Sequence, residues 1–337
     1  MPVLDQATRR HQSAVPAGVR GFDNRGVVTG SGRIEASLNN TGAMRVSAGP
    51  TLQIAAPGHT SSGSGSVEVR QGGELQVPGT LTNEAAGAVH LNNAAVCFAD
   101  GLVNAGQVPI GFGGASVFGK VNNRAGATVV ASGGSNVTFC DTVTNDAEIR
   151  PSAGLPIAYF GPVDDAGSYT SNGSGAYHRF EGGYAPGHSP AKVSVDDAQF
   201  ASLMTMELGS LLAGAQYDQI HFSASALFGA GSMLDVTLID GFPPGAGDTF
   251  ALFTFASAPA GRFSISACAG QRLELRQTRS LHAGCAAHCG RARTDQHRVA
   301  TGGPERHGVD HANAPSASKS RAHNRRPSGG VFFDNRP

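Results

Sequence analysis

The chain carries the stretch Leu102-Val103-Asn104-Ala105-Gly106-Gln107-Val108, in which an Asn and a Gly stand between short apolar residues. The same phrase, apolar-x-Asn-x-Gly-x-apolar, recurs with variations at residues 22–28, 38–46, 81–89, 121–129 and 143–149. Asn83, Asn104, Asn123 and Asn145 follow one another at intervals of 21, 19 and 22 residues. A period of this length is typical of solenoids, in which each repeat forms one coil. The sequence therefore predicts an all-β fold, a right-handed parallel β-solenoid (β-helix) over residues 21–180.

The residue types within each repeat fit one rung of such a stack. Short strands place small or branched apolar side chains inside, and Asn or Gly suits a sharp corner because both tolerate left-handed dihedral angles. A single rung cannot bury its own apolar face, so neighbouring rungs must stack into one continuous core. We interpret the asparagines as turn chemistry at each corner in preference to any ligand role, and asparagines at equivalent corners could also form a ladder of hydrogen bonds along the stack.

Composition limits the classes of protein to consider. Of the 337 residues, 47 are Gly and none is Trp, while 15% are charged and 7% are aromatic. No helical periodicity of useful length occurs before residue 190. No apolar run approaches the ~20 residues that span a bilayer, so we expect no membrane insertion by this chain itself.

The two ends of the chain differ from the repeats. Residues 1–20 have no apolar segment after Arg9 and Arg10, so no signal peptide is visible, and we expect a disordered leader in a chain that begins inside a longer reading frame. Residues 1–266 carry 13 Lys or Arg and 20 Asp or Glu, a net charge of −7, whereas residues 267–337 carry 12 and 5, a net charge of +7. With few large apolar side chains, residues 267–337 are predicted to be a disordered basic tail. Such a tail attracts anions non-specifically, so no specific nucleic acid is expected as a partner.

A phrase near the middle of the chain resembles a known family. Gly182-Gly183-Tyr184-Ala185-Pro186-Gly187-His188-Ser189-Pro190 is similar to a phrase of bacterial surface proteins built on autotransporter-type β-helix repeats, many of which end in a PEP-CTERM sorting signal. His188 stands where that family usually has Asn. Three further phrases that match its closing module follow in order, at residues 217–220, 234–242 and 247–253, after Glu207-Leu208-Gly209. The resemblance implies an exported, repetitive, β-rich surface protein. It does not imply a catalytic activity.

Residues 181–266 are expected to form a β-rich capping module. Residues 203–208 and 234–239 alternate apolar and polar side chains, as half-buried strands do. A cap of this kind would protect the last rung from edge pairing. The resemblance ends after Ser266, and a displaced reading frame would account for the anomalous tail. The coding DNA tests this, since the idea requires a plausible strand in the alternative frame.

The cysteines give no sign of a metal site or a disulfide framework. Five cysteines are an odd number, which argues against complete pairing. Cys285-x-x-His288-Cys289 has zinc-binding residue types without a second ligand pair, so we favour accidental clustering over metal binding. Cys97 and Cys140 are expected to be small buried residues of the rung interior, although stacking could also pair them.

Signatures of enzymes are weak. Residues 114–120 have the Gly and Lys spacing of a phosphate-binding loop. The required Ser or Thr is missing, however, and another repeat turn begins where a helix should, so we do not interpret this stretch as a phosphate-binding loop. Asp164-Asp165 and Asp196-Asp197 are the adjacent carboxylate pairs. Consecutive side chains of a strand point to opposite faces, so we expect both pairs in solvated turns.

These observations predict a structural or adhesive extracellular repeat protein, a passenger or stalk fragment that presents a long β-surface to surface glycans or other cell-surface proteins. By resemblance we expect it outside the cell or at the bacterial cell surface. We predict that the chain is not an enzyme and has no catalytic, cofactor-binding or metal-binding residue. The alternative is a β-helix polysaccharide lyase or glycoside hydrolase, which would need two carboxylates facing each other across roughly 5 to 9 Å of a cleft.

Overall fold

The structure is a computed structural model that describes residues 21–47, 49, 51–55, 61–134, 136–152, 154, 156–187, 190–245, 247–265, 272–277 and 283–290. The regular secondary structure of these residues consists of 36 strands and no helix. The strands are numbered β1 to β36 in chain order. Up to Ile265, successive strands pass in turn to three sheets, so that each rung contributes one strand to each sheet.

The first sheet contains 12 strands: β1 Phe22–Asn24, β4 Leu38–Asn40, β7 Ser61–Gly63, β10 Leu81–Asn83, β13 Leu102–Asn104, β16 Val121–Asn123, β19 Val143–Asn145, β22 Val163–Asp165, β25 Tyr184–Pro186, β28 Leu203–Leu208, β31 Met233–Leu238 and β34 Ser264–Ile265. The second sheet contains 13 strands: β2 Val27–Thr29, β5 Ala43–Ser47, β8 Ser66–Arg70, β11 Ala88–Asn92, β14 Gln107–Ile110, β17 Thr128–Ala131, β20 Glu148–Pro151, β23 Ser168–Tyr169, β26 Lys192–Val195, β29 Gln219–Phe222, β32 Phe250–Phe255, β36 Ala283–Gly290 and β35 Arg272–Gln277. The third sheet contains 11 strands: β3 Gly32–Ile34, β6 Thr51–Ile54, β9 Glu74–Val77, β12 Ala94–Phe98, β15 Ala115–Phe118, β18 Val137–Phe139, β21 Pro156–Tyr159, β24 Tyr177–Phe180, β27 Ala198–Phe200, β30 Ala226–Phe228 and β33 Ala260–Gly261.

The predicted all-β parallel solenoid is confirmed. All pairs between successive rungs are parallel, and the asparagines that define the period are register partners: Asn83 with Asn104, Asn104 with Asn123, and Asn123 with Asn145. The right-handed sense of the coil stays a prediction.

The buried asparagines form a hydrogen-bonded ladder. The Nδ2 of Asn83 donates to the Oδ1 of Asn104 at 2.7 Å, and the same bond joins Asn104 to Asn123 and Asn123 to Asn145 at 2.8 Å. Each of these asparagines is the last residue of its strand, and none has left-handed dihedral angles, which among the described non-glycine residues occur at Gln71, Asn93 and Asp240. The hypothesis of a ladder is confirmed, and turn chemistry is found beside it, because the Oδ1 of Asn104 and the Oδ1 of Asn145 each also accept from the backbone N–H two residues further on, at 3.2 Å.

The core changes in character along the stack. Its N-terminal rungs are filled by Leu and Val, such as Leu75 and Val96. From Phe139 onward the third sheet stacks aromatic rings inside, with centroids separated by 5.6, 4.9, 4.8 and 5.8 Å along the series Phe139, Tyr159, Phe180, Phe200 and Phe228. Such contacts add about 0.5–1.5 kcal/mol each beyond the burial of apolar area.

The three sheets continue without interruption through the segment that the sequence predicts to be a separate cap. Tyr184 pairs with Met204 in the first sheet, and Phe180 pairs with Phe200 in the third. Strands β35 and β36 lie within the segment predicted to be disordered, and β36 pairs with β32 in the antiparallel sense. The leader at residues 1–20 and the rest of the predicted tail lie outside the described residues.

Candidate functional site

The two adjacent acidic pairs lie in different surroundings. Asp164 and Asp165 belong to β22, where Asp164 is exposed and Asp165 is buried in the core. The expectation of a solvated turn was wrong for this pair, because a strand sends consecutive side chains to opposite faces. Asp196 and Asp197 lie between β26 and β27, in a bend, as expected.

A cleft of about 240 Å³ opens on the outer face of the first sheet. Its walls come from β22, β25 and β28 and from the segment 209–218, which joins β28 to β29. The lining residues are Asp164, Ala185, Pro186, Gly187, Thr205, Glu207 and Asp218. Three carboxyl groups therefore share one depression.

Asp218 is the most deeply placed of the three. Its Oδ1 accepts a hydrogen bond from the N–H of Ala191 at 2.8 Å, and its Oδ2 accepts one from the N–H of Glu207 at 2.7 Å. Burial raises the pKa of the Asp218 carboxyl to about 7, against the two backbone hydrogen bonds, and the nearby Glu207 and Asp164 raise it further. Asp218 therefore joins the segment 209–218 to β28 and to the residue before β26, and it holds a proton more readily than an ordinary carboxyl.

Glu207 lies beside it on the half-buried rim. Burial raises the pKa of the Glu207 carboxyl, and the negative charges of Asp164 and Asp240 raise it further. A carboxyl that retains its proton near neutral pH can donate it, and a second carboxylate can act as a base or nucleophile. Among the described residues, no group of three or more His, Cys, Asp or Glu side chains could hold a metal ion.

A second acidic group lies inside the core, where Asp165 takes the ladder position that follows Asn145. The hydroxyl of Tyr169 donates to its Oδ2 at 2.5 Å, and the hydroxyl of Tyr184 donates to its Oδ1 at 3.3 Å. Burial raises the pKa of the Asp165 carboxyl, and the two phenol hydrogen bonds oppose this shift. Because all three side chains are buried, this cluster is part of the packing and is closed to substrates.

His178 is the buried imidazole of the same region. Burial lowers its pKa to about 4, so the ring is neutral near pH 7. Nε2 lies 3.1 Å from the carbonyl oxygen of Thr170, which accepts only, so the proton is assigned to Nε2. The hydroxyl of Tyr159 then donates to Nδ1 at 3.1 Å. The arrangement fixes one tautomer and satisfies both ring nitrogens.

In the part of the chain whose side chains the structure describes, the other residues that the sequence singled out are not brought together into a site. Residues 115–118 of the phosphate-loop-like stretch form strand β15, and the next residues lead into strand β16, as the repeat interpretation predicts. Cys97 and Cys140 are half-buried thiols on the outside of the third sheet, so the expectation of a place in the rung interior was wrong. Cys285, His288 and Cys289 lie in β36, and their side chains are outside the described part of the chain.

Sequence reasoning missed Glu207 and Asp218 as partners. They are 11 residues apart and meet because the segment 209–218 folds back onto β28. The two residues occur in the phrases quoted for the family resemblance, but nothing in their spacing indicated a shared cleft. No sequence pattern predicts that the segment 209–218 folds back onto β28, the strand that precedes it.

Comparisons with known proteins add no identification. No protein-family model matches this chain, and no curated protein matches it. The described residues contain no helix that is long and apolar enough to cross a lipid bilayer. The resemblance to autotransporter-type surface proteins therefore stays a prediction.

Proposed function

We propose that this chain is a structural or adhesive repeat protein, a passenger or stalk segment exposed outside the cell or at the bacterial cell surface. The observation that carries the proposal is the single core shared by all rungs. Twelve stacked strands in the first sheet, at about 4.8 Å per strand, give a rod roughly 50 Å long. A rod of this kind holds distant contact points at fixed separations.

The outer face of the first sheet supports the adhesive part of the proposal. It carries one outward column of polar and small side chains in register: Asn39, Ser62, Thr82, Val103, Asn122, Thr144 and Asp164. Hydroxyl, amide and carboxylate groups repeated along a rigid line can hydrogen-bond successive units of an extended glycan.

Binding of the full chain to glycans tests the adhesive role. The immobilised protein is exposed to a panel of surface polysaccharides, and saturable binding is expected for at least one. Thr82→Glu combined with Thr144→Glu should weaken it by roughly tenfold, because the two charges interrupt the column. The matched variant Thr128→Glu, on the outer face of the second sheet, should leave it unchanged. Equal loss in both variants would contradict the assignment of this column.

Location is tested on intact source cells. A protease added outside should degrade the protein if it is displayed at the surface, while a cytoplasmic marker in the same cells stays intact. Protection of the chain until the cells are lysed would contradict surface display.

The cleft favours one second candidate, cleavage of a polysaccharide. Asp218, with its raised pKa, and the exposed Asp164 provide an acid and a carboxylate in one depression. The structural function is better supported, because both oxygens of Asp218 already accept backbone hydrogen bonds. Incubation of the full chain with neutral and acidic polysaccharides tests the candidate. New reducing ends or unsaturated products that disappear in Asp164→Asn would establish it, and their absence would remove it.

A further inference from the structure

The third sheet carries an uncharged column on four successive rungs. Cys97 and Phe118 are register partners on β12 and β15. Cys140 lies beside Phe118 on the next rung, because its N–H donates at 2.9 Å to the carbonyl oxygen of the residue before Phe118. Phe160 occupies the same position on the following rung, because its N–H donates at 2.9 Å to the carbonyl oxygen of Phe139. We call these four residues the Cys-Phe column.

The Cys-Phe column points away from the core. Phe118 is 45% exposed and Phe160 is 58% exposed, while both thiols are half-buried. A second outward column of small side chains runs beside it on the same rungs: Ala95, Ser116, Thr138 and Ala158. Together they form a flat uncharged face, and exposed aromatic side chains on such a face mark an interaction surface.

Charged residues border the face at its two ends. Glu74 precedes Ala95 in the small-residue column, and hydrogen bonds from Gln76 and Thr51 hold the pKa of the Glu74 carboxyl below its usual value. At the far end Arg179 follows Ala158 and forms an ion pair with Glu181. One end is therefore acidic, and the other presents a guanidinium group.

We propose that this face binds a second copy of the chain, with the two solenoids antiparallel. The two-fold axis runs along the strand direction, between the rungs of Phe118 and Cys140. It places each Phe opposite a Cys: Phe118 faces Cys140 of the second copy, and Phe160 faces Cys97. The same axis sets Glu74 opposite Arg179. A two-fold interface must be self-complementary, and here a large side chain meets a small one while an acidic group meets a basic one.

The parallel arrangement of the two copies fits worse. With the two-fold axis along the solenoid and between the two columns, Phe118 would face Ser116 of the second copy and Glu74 would face Gln76, so Glu74 would lack the basic partner that the antiparallel arrangement gives it. The six rungs from Glu74 to Arg179 extend over roughly 24 Å, and a width of roughly 12 Å gives an area near 300 Å² per copy. Stable interfaces bury about 800 Å² per partner, so the dimer is weak and reversible.

The distances between the cysteines can test the antiparallel arrangement. Cys97 and Cys140 are two rungs apart, so their Cα atoms are separated by about 9.6 Å, too far for a disulfide within one chain. Across the antiparallel interface the two copies of Cys140 are offset by one rung along the solenoid, and the two facing sheets are about 10 Å apart. Together these two displacements place the copies of Cys140 about 11 Å from each other. The two copies of Cys97 are offset by three rungs and lie about 17 Å apart.

Cross-linking of single-thiol variants tests the arrangement in the full chain. The background replaces Cys268, Cys285 and Cys289 by Ser, and a short bis-maleimide is then applied. Cys97→Ser, which retains Cys140, should give a covalent dimer. Cys140→Ser, which retains Cys97, should give at most about a tenth as much, because its thiols are beyond reach. Equal yields, or the reverse order, would overturn the proposal.

Charge reversal provides an independent test by sedimentation at several protein concentrations. Glu74→Arg or Arg179→Glu alone should weaken dimerisation by roughly tenfold, and the two changes together should restore it. Phe118→Glu should abolish it, while Phe112→Glu, at an exposed site outside the face, should not. A wild-type chain that stays monomeric at every concentration, or a double variant without rescue, would contradict the antiparallel dimer.

Discussion

Replacement of Asn104 by Ala removes the centre of the asparagine ladder. Its Nδ2 donates to the Oδ1 of Asn123 at 2.8 Å and to the carbonyl oxygen of Thr128 at 3.4 Å. Its Oδ1 accepts from the Nδ2 of Asn83 at 2.7 Å and from the N–H of Gly106 at 3.2 Å. The side chain is fully buried, so water cannot replace these partners without opening the rung.

The cost follows from the number of bonds that are lost. At a net contribution of about 1 kcal/mol for each hydrogen bond, four bonds amount to about 4 kcal/mol. Asn122→Ala is the matched control, because Asn122 precedes the ladder residue Asn123 and lies on the outer side of its strand, where its Oδ1 is shielded from solvent and has no hydrogen-bond partner. Because its truncation breaks no hydrogen bond of Oδ1, it should change the free energy of unfolding by about 0.5 kcal/mol or less.

Urea unfolding followed by circular dichroism measures the difference between the two variants. Because a stacked repeat protein can open locally, amide hydrogen exchange of the rungs next to residue 104 accompanies it. We expect Asn104→Ala to lower stability and to speed exchange in these rungs, while Asn122→Ala does neither. Equal behaviour of the two variants would refute the ladder as a source of stability.

Three further outcomes are expected. The pKa of His178 is lowered to about 4 in the folded chain and is about 6.5 in the unfolded chain, so the free energy of unfolding should fall by about 3 kcal/mol as the pH drops from 6.5 to 4. Unfolding measured across this pH range should show the fall, and the variant His178→Gln should show a smaller one. Gly119 has φ of 94°, and a Cβ there would strike the backbone of the rung below, so Gly119→Ala should lower the melting temperature well below that of Gly26→Ala, where space is open. Cys97 and Cys140 should both react with a maleimide in the native protein, and mass spectrometry that found them joined by a disulfide would contradict their two-rung separation.

The period of the stack could be predicted because one residue type marks it. Asn83, Asn104, Asn123 and Asn145 recur at the spacing of one rung, and each occupies the same place in the first sheet. The alternation of Met204 and Met206 with polar neighbours likewise predicted a half-buried strand, as found in β28. These signals are local, so the sequence alone contains them.

Other features depend on which face a strand turns inward. Cys97 stands between the buried Val96 and Phe98, so a shift of one position decides whether its thiol is inside or outside. The continuation of the solenoid beyond residue 181 was hidden because Pro186 occupies the ladder position that Asn holds elsewhere. The cleft depends on the return of the segment 209–218 to β28, a long-range contact without a sequence pattern.

The claim that all rungs share one axis is tested most directly by distances between paired spin labels on the outer face of the first sheet. With the native cysteines replaced by Ser, one label is placed at Asn39 and the other at Thr144 or Thr205. Five and eight strand intervals at about 4.8 Å predict separations of about 24 Å and about 38 Å. Distances that fail to increase with the number of rungs would contradict a single stacked solenoid.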